Sequence, residues 1–396
     1  MERLIRLSKE AVMRVPMEFR RYIYDEIDWG NRLIGISGAR GCGKTVLLLQ
    51  YLKKLPAKSK ALYASLDDIF FSKNELVYFA EDFEKQGGEY LLLDEVHKYP
   101  NWSQELKNIY DNLPGLKVVF TSSSALEVYK GSHDLSRRAV VYYLAGLSFR
   151  EFIHLRYKIE LPKTSIEQII NAEDDLYNNI LDKTKPLALF PEYLEKGYYP
   201  FFMDTKLSYL KQLLITLNLV IESDLPAIHN IDFHSIIKIR KLMAVLSRIA
   251  PYKPNIEKLA KQTGTTRDTL LKYLFYLEKA QVVKKMGRDP MGINYLNKPD
   301  KLYLHNTNLS FALGEQSQDK GNIRETFFLN QLSVKHQITY PEKGDFLVDG
   351  KYLFEVGGRH KSQKQIIGIK NAFIAADNIE YPFRNKLPIW IFGFMY

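Results

Sequence analysis

The chain has 396 residues, a formal net charge of +10 and a hydrophobic content of 46%; this exceeds one ordinary core, predicts two to four domains and excludes a disordered chain. A single cysteine, Cys42, excludes an intrachain disulfide framework. No apolar run approaches the ~18–20 residues of a membrane span, and Met1–Glu10 has no secretory apolar core, so a cytoplasmic protein with no membrane partner is expected.

Residues 1–30 read as a helix with a tyrosine-rich end. From about 31 to 145, strand and helix patterns alternate. The strands are predicted at Arg32–Ser37, Lys60–Leu66, Tyr90–Asp94, Lys117–Thr121 and Ala139–Leu144, with helices following Lys44, Asn74 and Trp102. Such alternation predicts an α/β fold with a parallel sheet covered on both faces. Ligands of such sheets bind at the carboxyl ends of the strands.

Two motifs fall at those ends. Gly38, Ala39, Arg40, Gly41, Cys42, Gly43, Lys44 and Thr45 fit G-x-x-x-x-G-K-[ST], between a predicted strand and a predicted helix. The glycines let backbone N–H groups turn inward around phosphate oxygens, and the helix N-terminus adds partial positive charge. Lys44 is expected to reach the β/γ-phosphates and Thr45 to hold Mg²⁺. Glu89–Glu95 is an apolar strand ending in two carboxylates. Asp94 is expected to face the metal beside Thr45, and Glu95 to orient or deprotonate an attacking water. Asp94–His97 also matches a helicase D-E-x-H box, but the sequence has one phosphate loop and no second motor domain. No Asn-Lys-x-Asp, which reads guanine, occurs within residues 31–145, so ATP is the expected nucleotide.

The strand ending Thr121-Ser122-Ser123 offers Ser122 and Ser123 as γ-phosphate sensors, or as a serine-rich helix cap. Arg137 and Arg138 precede the last strand. An arginine here can act as a finger on developing phosphate charge, in cis or on a neighbouring subunit, with Arg138 as the catalytic candidate. The bland reading is a surface arginine pair.

Residues 148–234 carry helical periodicity and aromatic punctuation, and read as a helical lid or connector. Residues 235–312 read as helix, Thr263-Gly264 turn, helix, with Thr265 as cap and Asp268 three residues on. Leu270, Leu274 and Leu277 form the predicted buried stripe of the second helix; Arg267, Thr269, Lys272 and Tyr276 lie elsewhere on it. Val282–Lys285, Gly287–Gly292 and Lys301–Leu304 would supply a β-hairpin wing. From Ile231 to Ser310 there are 15 Lys/Arg against 6 Asp/Glu, which holds most of the excess charge of the chain. Double-stranded DNA is therefore a candidate partner through residues 255–304, with a protein-packing role as the alternative. Residues 313–396 alternate again: an amphipathic helix at Ile323–Leu332, then strands at Gly344–Val348 and Tyr352–Val356 joined by an Asp349-Gly350 hairpin turn.

The 38–45 loop, Leu91–His97, Thr121–Leu126 and Leu147–Phe152 together resemble prokaryotic AAA+-type ATPases that carry an uncharacterised C-terminal module. That module is similar to the PD-(D/E)xK nuclease fold. The resemblance implies an ATPase domain over 1–147, the connector over 148–234, a winged helix over 235–312 and the nuclease-like module over 313–396. It also implies Glu325, Asp345 and Glu355 as metal-ligand positions. The expected Glu-x-Lys reads Glu355-Val356-Gly357, so the lysine is missing. Lys361 and Lys364 are the nearest substitutes, and an inactive module is expected. The leading functional expectation is an ATPase using ATP and Mg²⁺, acting as a homo-oligomer or with a protein partner. The alternatives are a nucleotide-gated DNA-binding regulator with slow turnover and an ATP-dependent nuclease.

Overall fold

The computed structural model describes residues 1–122, 135–205, 208–226, 231–288, 299–314 and 319–396. The chain divides into two compact units, Met1–Gly146 and Leu147–Tyr396.

In the first unit the described residues form a five-stranded parallel sheet. Its strands are β1 (Leu33–Ser37), β2 (Ala61–Ser65), β3 (Tyr90–Asp94), β4 (Lys117–Ser122) and β5 (Val140–Tyr143), in the order β2-β3-β4-β1-β5. The central strands are near-continuous apolar runs because both faces are covered. Helices α1 (Glu2–Arg14), α2 (Lys44–Lys54), α3 (Leu76–Lys85) and α4 (Trp102–Asn112) provide the cover. Leu33, Leu91, Leu93, Val118 and Phe120 share one core with Phe79 and Leu106 of the helices. All five strands begin and end within two residues of the predicted positions. Chain reversals in strand order bring the ends of β1, β3 and β4 side by side, and these ends carry the motifs.

The second unit begins with α5 (Phe149–Tyr157), capped by a Ser148/Glu151 capping box. Short helices at Ile166–Ile170 and Asp174–Leu181 lead to α6 (Pro186–Lys196) and α7 (Tyr209–Leu219). Then come α8 (Phe233–Ile249), α9 (Ile256–Thr263) and α10 (Arg267–Lys279), and an antiparallel ribbon of β6 (Val283–Met286) with β7 (Lys301–Leu304). Tyr252, between α8 and α9, bridges to Leu302 of the ribbon. Helices α11 (Thr307–Leu313) and α12 (Lys320–Leu332) precede a mixed sheet. Its strands are β8 (Ile338–Thr339), β9 (Phe346–Val348), β10 (Tyr352–Gly357), β11 (Ala372–Ala376) and β12 (Lys386–Pro388), in sequential spatial order. The predicted hairpin forms: Asp349 and Gly350 both have positive φ, and Lys351 N–H closes the turn on Val348 C=O at 3.0 Å.

Buried amides knit Leu147–Tyr396 together, and two expectations change within it. Asn308 accepts from Tyr198 N–H at 2.8 Å and from the Tyr209 hydroxyl at 2.6 Å, and Gln331 donates to Tyr193 Oη at 2.8 Å. Ser148 donates to the carbonyl of Tyr396. The helix over Ile323–Leu332 is not amphipathic but buried nearly all round its last two turns. Thr266, not Thr265, caps α10, its side chain accepting from Thr269 N–H. The chain leaves α9 through Gly264 in the left-handed region (φ 67°), and this places the cap one residue later.

Candidate functional site

The phosphate-loop residues lie between β1 and α2. Gly41 and Gly43 have φ of 83° and 99°, conformations open to glycine at little cost. Gly38 is needed for a different reason. A Cβ there would stand 2.4 Å from the carbonyl oxygen of Leu144 and 2.9 Å from Cys42 Sγ. Cys42 is wholly buried under the loop and works as a packing residue. The Lys44 side chain lies inside the loop, its Nζ donating to the carbonyls of Gly38 and Ala39 at 3.0 Å each.

Arg21 braces this loop. Its guanidinium, buried in the segment after α1, donates to Cys42 C=O at 2.6 Å, Ala145 C=O at 2.7 Å and Gly146 C=O at 2.8 Å. One side chain thus ties the loop to the stretch after β5. No motif in the sequence marks Arg21.

The end of β3 faces Thr45. Thr45 Oγ1 donates to Asp94 Oδ2 at 2.7 Å, and the Tyr63 hydroxyl donates to the same oxygen at 2.9 Å. The Thr121 hydroxyl bonds Asp94 Oδ1 and accepts from Glu95 N–H at 3.0 Å. Asp94 is 3% exposed. Burial, then the charge of Asp94, pushes the Tyr63 hydroxyl well above its ordinary pKa and keeps it a proton donor. Glu95 occupies the left-handed region at φ 55°, which costs roughly 1 kcal/mol or more for a residue with a Cβ. Strain of this kind gathers at functional sites. Its carboxylate lies 3.4 Å from Nε2 of the buried His97.

A hydroxyl that donates its proton to a carboxylate keeps its oxygen lone pairs for a metal. Thr45 and Asp94 therefore fit Mg²⁺, which takes one or two protein oxygens and fills its shell from phosphates and water. Among the described residues no group of three or more His, Cys, Asp or Glu side chains can hold a metal ion.

Ser122 is fully buried at the end of β4, in register with Ser37 of β1; Ser123 lies outside the described residues. Arg138 sits at the opposite end of the sheet from the loop. Val140, two residues after it, pairs with Ile34, and Gly38 is four residues past Ile34. That separation is about 20 Å at ~3.3 Å per residue. Arg138 instead makes a bidentate pair with Asp111, at 2.7 and 2.9 Å, which holds the Asp111 carboxyl below its usual range. Arg138 and the adjacent Arg137 therefore lie at the end of the sheet away from the loop of their own chain.

The nuclease-like positions are also engaged. Glu325 is bonded by Lys301 and by the Tyr303 hydroxyl, and burial raises its pKa. Asp345 accepts from Val356 N–H at 2.8 Å. Glu355 pairs with Lys361 at 2.7 Å. Gly357 makes room for this: a Cβ there would lie 2.7 Å from the Lys361 stem. Lys301 and Lys361 pair with Glu325 and Glu355, and among the described residues the three carboxylates do not form a metal-binding group.

On the basic segment, Arg267 and Lys272 are exposed on α10, while Leu270, Leu274 and Leu277 are buried as predicted. Tyr276 is buried too, contrary to expectation. The lysines of β6 turn away from a binding role: Lys285 pairs with Glu278 at 2.9 Å, and Lys284 bonds Ser333, its pKa pushed down to about 8 by burial. Gly292 of the expected wing lies outside the described residues.

Residues 30–153 match the family model of an AAA domain, and residues 187–320 match a domain of unknown function, DUF8612. The uncharacterized protein MJ1637 of Methanocaldococcus jannaschii is 28% identical over 372 residues, covering 85% of this chain and 77% of its own length. An uncharacterized protein of Haemophilus influenzae is 25% identical over 319 residues, covering 75% of this chain and 73% of its own. Among solved structures, C. elegans PCH-2 aligns with 69% of this chain and 67% of its own at 16% identity, with a TM-score of 0.28, too low to argue from. The domain match and the phosphate loop support an AAA-type ATPase domain at the start of the chain. No described helix is long and apolar enough to cross a membrane.

Proposed function

We propose that the chain is a Mg²⁺-dependent ATPase of the AAA+ type. The observation that carries this reading is the meeting of Thr45 and Asp94 at 2.7 Å, two residues 49 positions apart on the two motifs. The loop N–H groups and Lys44 bind the phosphates. Thr45 and Asp94 hold Mg²⁺, which when bound offsets phosphate charge and fixes its orientation. Glu95, next to Asp94, orients or deprotonates water. Any arginine finger comes from another copy or from a partner, since Arg137 and Arg138 are remote from their own loop.

The same reading gives the second unit a DNA-binding or assembly role. The order α8, Tyr252 bridge, α9, α10, β6–β7 supports a winged helix, and Arg267 and Lys272 supply exposed positive charge on its second helix. The C-terminal sheet is read as a nuclease-like fold without cleavage activity. A nucleotide-gated DNA-binding regulator is the second reading, favoured by that exposed helix face.

Phosphate release from ATP with Mg²⁺, for wild type beside Glu95→Gln and with or without double-stranded DNA, separates these. Steady turnover lost in Glu95→Gln while ATP binding persists is the expected result. Very slow turnover with ATP-dependent DNA affinity would favour the regulator. No turnover and no ATP binding would sink both.

A further inference from the structure

The Asp94 carboxylate is gripped from both neighbouring strands as well as from α2. Tyr63 reaches it from β2, Thr121 from β4 and Thr45 from the start of α2. A carboxylate offers about four lone-pair sites. Two donors on Oδ2 and one on Oδ1 leave about one site, on the Oδ1 side. Removing a donor frees the carboxylate to turn away from the direction a metal or its water shell needs.

Tyr63 belongs to neither motif and stands 31 residues before Asp94. Its strand, β2, is an edge of the sheet, where backbone groups on one side have no strand partner. Helix α1 covers that side. The buried Ser8 hydroxyl accepts from Tyr63 N–H at 3.0 Å. Arg3 of the same helix pairs with Asp68, just past β2, at 2.7 Å. Tyr63 is thus fixed at its backbone by α1 and at its tip by Asp94.

We infer that Tyr63 is a positioning residue of the metal site, setting the orientation of the Asp94 carboxylate, and that α1 holds it there through Ser8. The inference rests on the Mg²⁺–ATP reading above. It couples the first helix of the chain to metal affinity through Ser8 and Tyr63.

The test is a Mg²⁺ titration of fluorescent-ATP binding, repeated in EDTA, with phosphate release followed across the same Mg²⁺ range. Tyr63→Phe keeps the ring and removes the donor. Its half-saturating Mg²⁺ should rise about ten-fold, the loss expected for one hydrogen bond to a charged group. Affinity in EDTA should stay within about two-fold, and the deficit in turnover should be recovered at saturating Mg²⁺. Ser8→Ala leaves the Tyr63 side chain intact and should shift the same midpoint in the same direction by less, which keeps the test valid if Tyr63→Phe folds poorly. A Mg²⁺ midpoint unchanged in both variants, or affinity lost equally with and without Mg²⁺, overturns the inference. Wild type that binds nucleotide under neither condition fails earlier and overturns the ATPase reading itself.

Discussion

At the scale of single residues, the site is built from close approaches with little slack. Gly38 abuts a backbone carbonyl that cannot rotate away. Gly38→Ala should therefore destabilise the first unit by about 1–3 kcal/mol, the usual cost of overpacking, and should remove nucleotide binding as the loop shifts. Thermal unfolding and nucleotide titration on the same sample check both. Lys44→Ala acts differently. It deletes the cation expected on the phosphates but leaves the backbone intact, so affinity should fall at least 100-fold, about 3 kcal/mol, with the thermal midpoint nearly unchanged. The loop and Asp94-Glu95 are legible in the sequence because each is a contiguous run with a strand or helix beside it. Arg21, Tyr63 and Thr121 are not. Each reaches the site from another element, and no local spacing announces it.

At the scale of elements, burial decides which charges act. His305, on the stretch after β7, is buried, and its Nδ1 has no hydrogen-bond partner. Burial, then the charge of Lys284, pushes its pKa down to about 3 from an ordinary 6.5. Between those values the unfolded chain binds the extra proton. Stability from this group is complete above pH 6.5 and is lost as pH falls toward 3, by up to about 1.4 kcal/mol per pH unit. His305→Gln should flatten the fall in urea midpoint between pH 6.5 and 5; an unchanged slope would mean that His305 does not carry this pH dependence. Helix α10 gives a second prediction. Arg267→Glu with Lys272→Glu should weaken double-stranded DNA binding at least ten-fold and reduce its salt dependence, while Lys285→Ala, whose ammonium is paired inside the fold, should act through stability instead. The succession of α9, the Gly264 turn and α10, and the Asp349-Gly350 hairpin, are legible from periodicity and turn chemistry. The fate of the lysines was not, because a charge count is blind to Glu278 and Ser333 waiting beside them. Arg138 is the same lesson: only the register of β5 places it with Asp111 and away from the loop.

At the scale of the whole molecule, the alternating first 146 residues were readable as a parallel sheet because each strand follows its helix in sequence. The second unit was less so. Its buried amides at Asn308 and Gln331 join helices over 100 residues apart, and polar core residues carry no periodic signal. The proposed activity lies in the first unit and depends on one property above all: that this loop binds Mg²⁺–ATP. The most direct measurement is a calorimetric titration of the full chain with the slowly hydrolysed analogue ATPγS in Mg²⁺, wild type beside Lys44→Ala. One site per chain in wild type, lost in Lys44→Ala although the variant stays folded, is the predicted result. Equal binding by both proteins, or none by a folded wild type, would contradict it.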